Sequence, residues 1–260
     1  MVRRRKAPLV FLHIPKTAGM TLTQLVQRQF QPDEVYSIKG DDVAASVERL
    51  KALPEGERLR LRCLKGHQAF GLHEYLAPGT RYITMLRHPV SRIVSHYEFV
   101  KARPHHYLHA RMKGATLAEF AASRLSGELH NGQTRLLAGI WDDRPLEQAD
   151  YDRAIANLEQ HFDWRGLMER FDESIVMLAA VMRWPNVFYR KSNVGKGWKP
   201  SGVEPATTRV IEQESPFDMQ LYQYAQRRFD GAGSGVRKAR RLAARGLDLG
   251  NRLAARLKKR

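Results

Sequence analysis

Residues 9–21, LVFLHIPKTAGMT, constrain the fold of this chain more than any other stretch. Leu9, Val10, Phe11 and Leu12 form an apolar run that continues through His13 and Ile14. Such a run, bounded by turn residues, reads as a buried strand. Pro15 cannot donate to a sheet ladder, so the strand ends there. Gly19 permits a backbone turn that a side chain would obstruct. Leu22, Leu25, Val26 and Phe30 then recur on one helical face over residues 21–30. A strand, a Gly-containing loop and a helix N-terminus together make an anion cradle. The first N–H groups of a helix lack internal partners, and the macrodipole places partial positive charge there. Lys16 adds a full charge, Thr17 and Thr21 add hydroxyls, and Ala18, Gly19 and Met20 complete the loop. The nucleotide-kinase loop G-x-x-x-x-G-K-[ST] is a different motif, because Lys16 precedes Gly19 instead of following a Gly.

The rest of the chain alternates strand and helix signals. Strands are expected at residues 34–38, 59–64, 81–86, 164–168 and 187–189. Helices are expected after an Asp41 or Asp42 cap, from Pro89, at 116–124, 132–137, 146–162, 171–182, 205–214 and 216–229. That order predicts an α/β fold with three layers and a central, mainly parallel sheet flanked by helices. Ligands bind such sheets at the carboxyl ends of the strands. Arg87 stands at one such end, in the stretch LRHPVSRIVSHY, and Ser95 follows about two helical turns later. An Arg fork and a Ser hydroxyl can share one phosphate if the chain folds back at Pro89. Arg92 is read as solvent-facing. His67, in GHQAFGLH, follows another strand and should reach the same edge. A histidine titrating near neutrality suits a general base, with His73 the weaker candidate. His13 is read as a structural residue of the first strand, His88 as a support for Arg87, and Cys63 as a packed strand residue.

The Lys16 loop resembles the 5′-phosphosulfate loop of sulfotransferases that use 3′-phosphoadenosine-5′-phosphosulfate (PAPS). HIPKTAGMT is most similar to the carbohydrate sulfotransferases of the heparan-sulfate 2-O/6-O type and their bacterial relatives. The resemblance spans roughly Pro8 to Phe229. It implies a P-loop-like fold, PAPS as co-substrate, no required metal and a carbohydrate or glycolipid acceptor. It further implies that Arg87 and Ser95 grip the 3′-phosphate and that His67, at the matching Gly-His position, is the catalytic base. It makes Arg135, in HNGQTR, a contact to anionic groups near the acceptor. Lys196 is its candidate in the late basic loop over the nucleotide. Two other classes compete: an ATP-using small-molecule kinase, and a non-catalytic nucleotide- or polyanion-binding module.

Charge distribution bears on partners. The chain has 260 residues and a formal net charge of +17. Arg3, Arg4, Arg5 and Lys6 carry four of those charges, and residues 236–260 hold ten Lys/Arg against the single Asp248. The body is therefore only mildly basic, which argues against a nucleic-acid-binding core. The expected organisation is a basic extension over residues 1–7, a catalytic domain over 8–230, and a Gly hinge with a basic helix or tail over 231–260. In the tail, Leu242, Leu249, Leu253 and Leu257 approximate one helical face. A basic amphipathic helix uncoupled from the core by the hinge would lie on anionic lipid; the competing reading is a solvated tail. One Cys and no apolar run of membrane-spanning length lead to a cytoplasmic expectation, with peripheral contact at the inner face of the membrane.

Overall fold

The computed structural model describes residues 7–189, 202–231 and 233–257. In chain order the elements are β1 (Leu9–Leu12), α1 (Gly19–Gln27), β2 (Val35–Ile38), α2 (Val43–Ala52), α3 (Glu55–Arg58) and β3 (Cys63–Gly66). They continue with β4 (Arg81–Leu86), α4 (Pro89–Lys101), α5 (Leu117–Ala122), α6 (Gly132–Leu137), α7 (Gln148–His161) and β5 (Phe162–Leu167). The last are α8 (Phe171–Met182), α9 (Pro205–Glu214), α10 (Pro216–Asp230) and α11 (Ser234–Leu257).

The five strands form one sheet in the order β2-β3-β1-β4-β5, and every pairing is parallel. The apolar run of β1 makes it the centre of that sheet. All four of its residues are buried, as a strand covered on both faces requires. Alternate side chains point to opposite faces. Val10 and Leu12 join Leu64, Tyr82, Leu86 and Phe162 on one side, packed beneath α6, α7 and α10. Leu9 and Phe11 join Cys63, Ile83, Met85 and Trp164 on the other, packed with α1 and α8. A third apolar cluster ties α4 to α5 and α9 through Val90, Ile93, Phe120 and Ile211. The chain leaves β1, returns beside it as β3, and crosses to its other side as β4. The carboxyl ends of β1, β3 and β4 therefore flank a topological switch point, where open α/β sheets bind ligands.

The structure departs from the sequence reading in three places. Residues 59–62 are not strand. The helical turn of α3 continues through Leu59 N–H to the Glu55 carbonyl and Leu61 N–H to the Arg58 carbonyl, so β3 begins only at Cys63. Residues 187–189 join no sheet. Tyr189 N–H instead donates to Asn251 Oδ1 at 2.9 Å.

The third departure is the C-terminal helix, which the Gly-rich segment does not uncouple. Arg240, Ala244, Leu247 and Asn251 recur on one face of α11, and all are buried. Arg240 donates to the Phe229 carbonyl at 3.1 Å and pairs with Glu173 at 3.2 Å, while Leu247 enters the core cluster beneath β1 and α8. This docking face differs from the leucine stripe read from sequence. Leu242 and Leu249 are 56% and 60% exposed and point away from the core. The basic residues 3–6 and Lys196 lie outside the described residues.

Candidate functional site

A cavity of about 1980 Å³ opens at the carboxyl edge of the sheet. The strand endings deliver three groups to its wall: the loop after β1 with Lys16, His67 after β3, and Arg87 after β4.

Lys16 and Ala18 both have left-handed backbone, with φ of 71° and 61°. Such φ values are uncommon for residues with a Cβ and mark a loop held in place by its surroundings. Thr17 is one source of that hold. Its side chain is buried and donates to the Ile14 carbonyl at 2.8 Å, so it shapes the loop and does not line the cavity. That corrects its placing among the ligand-facing residues. Ala18, Gly19, Met20 and Thr21 do line the cavity, at the N-terminal end of α1. Gly19 is required for a reason the sequence does not show. A Cβ there would sit 1.4 Å from His13 Nε2, so the glycine admits the His13 ring against the start of α1.

His13 therefore belongs to the site and not to the strand, which ends at Leu12. Its ring stacks on His67 with centroids 4.2 Å apart. His67 Nδ1 lies 2.9 Å from the His13 carbonyl oxygen. A carbonyl only accepts, so Nδ1 carries the proton, and neutral His67 keeps its lone pair on Nε2. Glycines shape this pocket too. Gly66 has φ of 138°, and a Cβ there would meet the Ile38 carbonyl oxygen at 2.3 Å; a Cβ on Gly40 would lie 2.7 Å from the His67 ring. Burial lowers the His67 pKa from its ordinary value and the nearby Lys16 lowers it further, against the opposing hydrogen bond to His13. His13 is lowered well below its ordinary value, by burial and then by His67. Both rings are thus neutral at pH 7. His73 lies elsewhere, with Nδ1 2.9 Å from the Tyr82 hydroxyl and its ring against His161.

Arg87 ties the two phosphate motifs together, since its Nη1 donates to the Lys16 carbonyl at 2.9 Å. Its own backbone is clamped by Gln133, whose amide accepts from Arg87 N–H and donates to Arg87 C=O, both at 2.9 Å. Arg87 Nε is buried with no hydrogen-bond partner among the described residues, leaving a donor for an anion. Ser95, on α4, lines the same cavity. Glu169 holds the turn after β4 by accepting from His88 N–H at 2.9 Å and from the Tyr222 hydroxyl at 2.8 Å. It makes no pair with Arg170, which bonds Glu173 and Asp230. His88 packs edge-on against Tyr222.

Two arginines behave differently from their sequence reading. Arg92 is 1% exposed, not solvent-facing; it donates to the Glu128 carbonyl at 2.7 Å and lies 3.6 Å from buried Asp218. Arg135 borders the cavity, but Nη1 and Nη2 donate to the carbonyls of Asp142 and Arg144 at 2.6 and 2.9 Å. Both Nη groups are engaged in pinning a loop, while Nε, like that of Arg87, is buried with no hydrogen-bond partner among the described residues. Cys63 is buried in β3 and its thiol is pushed up to about 12 by burial, as suits a packed residue.

Sequence reasoning missed the surroundings of Lys16. Its Nζ lies 3.6 Å from the Phe99 ring centroid, and the Arg103 guanidinium carbon lies 3.7 Å from that same centroid. Burial, then Arg103, then Arg87 lower the Lys16 pKa to about 8. Burial raises the Glu128 carboxyl against the pull of Arg92 and Lys16. Glu128 also lines the cavity. These residues come together only in three dimensions, and no local motif marks them.

Comparison with known proteins bears on this arrangement. Galactose-3-O-sulfotransferase 2 from Sus scrofa is 27% identical over 203 residues, covering 72% of this chain and 49% of the relative. Its counterpart from Mus musculus is 25% identical over 261 aligned residues, covering 85% and 61%. The chain thus spans about half to three-fifths of the length of these relatives. Among solved structures, mouse sulfotransferase SULT7A1 complexed with PAP aligns with a TM-score of 0.40 and 15% identity, over 80% of this chain and 64% of that one. The model of the sulfotransferase family matches residues 1–196, a span that holds the Lys16 loop, His67 and Arg87; the chain belongs to the sulfotransferase family.

Proposed function

We propose that this protein transfers the sulfuryl group of PAPS to a hydroxyl of a carbohydrate acceptor. One observation carries the reading: a Lys-bearing loop at a helix N-terminus, a buried Arg with an unmatched donor, and a tautomer-fixed His share one cavity. The family match supports sulfuryl transfer, and the galactose-3-O-sulfotransferase relatives favour a sugar hydroxyl over the phenol or amine of a small molecule.

The roles follow from chemistry. His67 Nε2 takes the acceptor proton as its oxygen bonds to sulfur. The S–O bond to the phosphate breaks, and its electron pair leaves on the phosphate oxygen. Lys16 and the positive end of α1 stabilise that charge. Arg87 and Ser95 hold the 3′-phosphate, which distinguishes PAPS from adenosine phosphates lacking one. The clamp on Arg87 from Gln133 keeps the fork oriented before ligand arrives.

Titration calorimetry tests the nucleotide assignment. Wild-type protein binds 3′,5′-adenosine diphosphate (PAP) at least tenfold more tightly than 5′-AMP, and Arg87→Ala removes that preference. Equal affinity of wild-type protein for both ligands overturns it. Transfer of labelled sulfate from PAPS, but not of labelled phosphate from ATP, separates this reading from a kinase.

A second surface concerns location. Lys238, Arg241, Arg245 and Arg252 are exposed around the outward Leu242 and Leu249 of α11. Cations framing an apolar stripe match the charge of anionic lipid and the apolar layer beneath its headgroups. We propose this face as a peripheral membrane contact. No helix among the described residues is long and apolar enough to cross a membrane. Because α11 is docked through Arg240 and Asn251, truncation would also strip the core, so placing acidic residues in the outward apolar stripe is the cleaner probe. Leu242→Glu combined with Leu249→Glu abolishes sedimentation with phosphatidylserine vesicles while leaving the thermal midpoint within a few degrees. Unchanged sedimentation of the double variant refutes the contact.

A further inference from the structure

The cavity extends past the catalytic groups to a wall that none of the roles above uses. Two large aromatic side chains stand there, Trp141 at 51% exposure and Tyr107 at 58%. Burying such rings is strongly favourable, so two large aromatics left exposed on one cavity call for an occupant.

Both are moored on adjacent residues. Tyr107 donates its hydroxyl to Ser126 Oγ at 3.0 Å, and His106 stacks on its ring at 4.7 Å. Gly127 N–H donates to Asp143 Oδ1 at 2.6 Å, fixing the loop that carries Trp141. Arg135 pins that same loop through the Asp142 and Arg144 carbonyls. Gly127 must be glycine for this, because a Cβ would meet Asp143 Oδ1 at 2.5 Å and Arg135 Nε at 2.8 Å. The next residue, Glu128, lines the cavity, and its backbone carbonyl accepts from buried Arg92. Its carboxylate Oε2 lies 3.5 Å from buried His96 Nε2, on the cavity that Lys16 also lines. The segment Ser126-Gly127-Glu128 thus connects the Tyr107 ring and the pinned loop that carries Trp141 to a carboxylate on the same cavity as Lys16.

We propose that Trp141 and Tyr107 form the acceptor platform, binding a sugar ring of the acceptor by its apolar C–H face, with Glu128 accepting hydrogen bonds from ring hydroxyls. A pyranose presents an apolar face and a rim of hydroxyl donors, which is the complement of an exposed aromatic beside a carboxylate. A flat apolar acceptor would call for an enclosed slot, whereas these rings stand half open to solvent. The cations of the cavity have other contacts: Lys16, assigned to the leaving phosphate, and Arg103 lie over Phe99, and both Arg135 Nη groups are held by carbonyls. This assignment rests on the proposed sulfotransferase reading and specifies its acceptor side. It also gives Arg135 a positioning role in place of an anion contact.

Lactose, which ends in a galactosyl ring, is the probe. Titrated into the PAP-bound protein, it changes the intrinsic tryptophan fluorescence of wild type, and Trp141→Phe loses most of that change. In sulfate transfer to lactose, Trp141→Ala raises the lactose KM about tenfold or more, with kcat and PAP affinity within about twofold. Tyr107→Ala raises it less, and Trp141→Phe restores most of the loss by keeping an aromatic face. Unchanged fluorescence of the wild-type protein at saturating PAP, or an unchanged KM in Trp141→Ala, overturns the platform. Failure of PAP to bind wild type instead overturns the sulfotransferase reading, so the two failures are distinct.

Discussion

His67→Ala lowers the rate of sulfate transfer by about 10²–10⁴-fold, the usual cost of losing a general base, and leaves PAP affinity within about twofold. The expectation follows from the way the ring is held. Gly19 and Gly40 leave room for the two stacked imidazoles, Gly66 admits the Ile38 backbone beside them, and the His13 carbonyl fixes the Nδ1 proton. The Nε2 lone pair is then ready without a tautomer change. Because burial and Lys16 lower the His67 pKa, the ring is neutral at pH 7 and protonates only on acidification. The acid limb of kcat/KM therefore lies below the ordinary histidine value of about 6.5, and activity is lost as pH falls through it. His73→Ala is the matched control: that ring is bonded to the Tyr82 hydroxyl away from the cavity, so its loss spares turnover. Steady-state rates with PAP calorimetry on both variants decide the matter. A larger loss in His73→Ala than in His67→Ala would assign the base to the wrong histidine. His13→Phe refines the picture. It keeps the peptide carbonyl and a stacking ring, so turnover survives if His13 acts through its backbone and packing.

The parts of this site that were legible in the sequence are those dictated by local backbone. A buried strand before Pro15, a helix opening near Gly19, and a Gly-His pair after a strand are short-range patterns, and the structure puts all three at one sheet edge, although the strand itself stops at Leu12. The parallel pairing of the sheet was legible, because alternating strand and helix signals imply parallel crossovers, whereas the order β2-β3-β1-β4-β5 was not. Contacts between distant segments were not legible. Arg92 has no neighbouring acid to announce its burial; its partners are a carbonyl of residue 128 and the carboxylate of Asp218. Gln133 reads as an ordinary helical glutamine, yet it clamps the backbone of Arg87. The alternation of residues 59–64 imitated a strand because a helical turn and the strand that follows it each contributed leucines. The C-terminal helix carries apolar residues on two faces. Leucine count favoured the outward one, while docking depends on Arg240 and Asn251, polar residues whose burial is set by partners in other elements.

Lys16→Met lowers kcat by about 10²–10³-fold, the scale on which removal of one preorganised donor to a developing oxyanion acts. Methionine keeps the length of the stem and its packing on Phe99 while deleting the charge, so the loss reports electrostatics and not a collapsed loop. The pH dependence makes a sharper test. Lys16 must be protonated to stabilise the leaving phosphate, and in the free protein its pKa is lowered to about 8. Raising pH through 8 therefore removes the charge, and kcat/KM for PAPS falls on that side. With the His67 limb this gives a bell. Anionic ligand raises the Lys16 pKa in the complex, so the alkaline limb of kcat lies above that of kcat/KM. After burial, Arg103 is the largest cause of the Lys16 shift, through a guanidinium stacked on the ring that Lys16 also covers. Arg103→Ala therefore moves the alkaline limb of kcat/KM to higher pH, and Arg103→Lys, which retains the charge, moves it less. In Lys16→Met the alkaline limb disappears. A profile that keeps its alkaline limb at the same pH in all three variants would mean that another group carries it, and Lys16 would lose its assignment as the charge that stabilises the leaving phosphate.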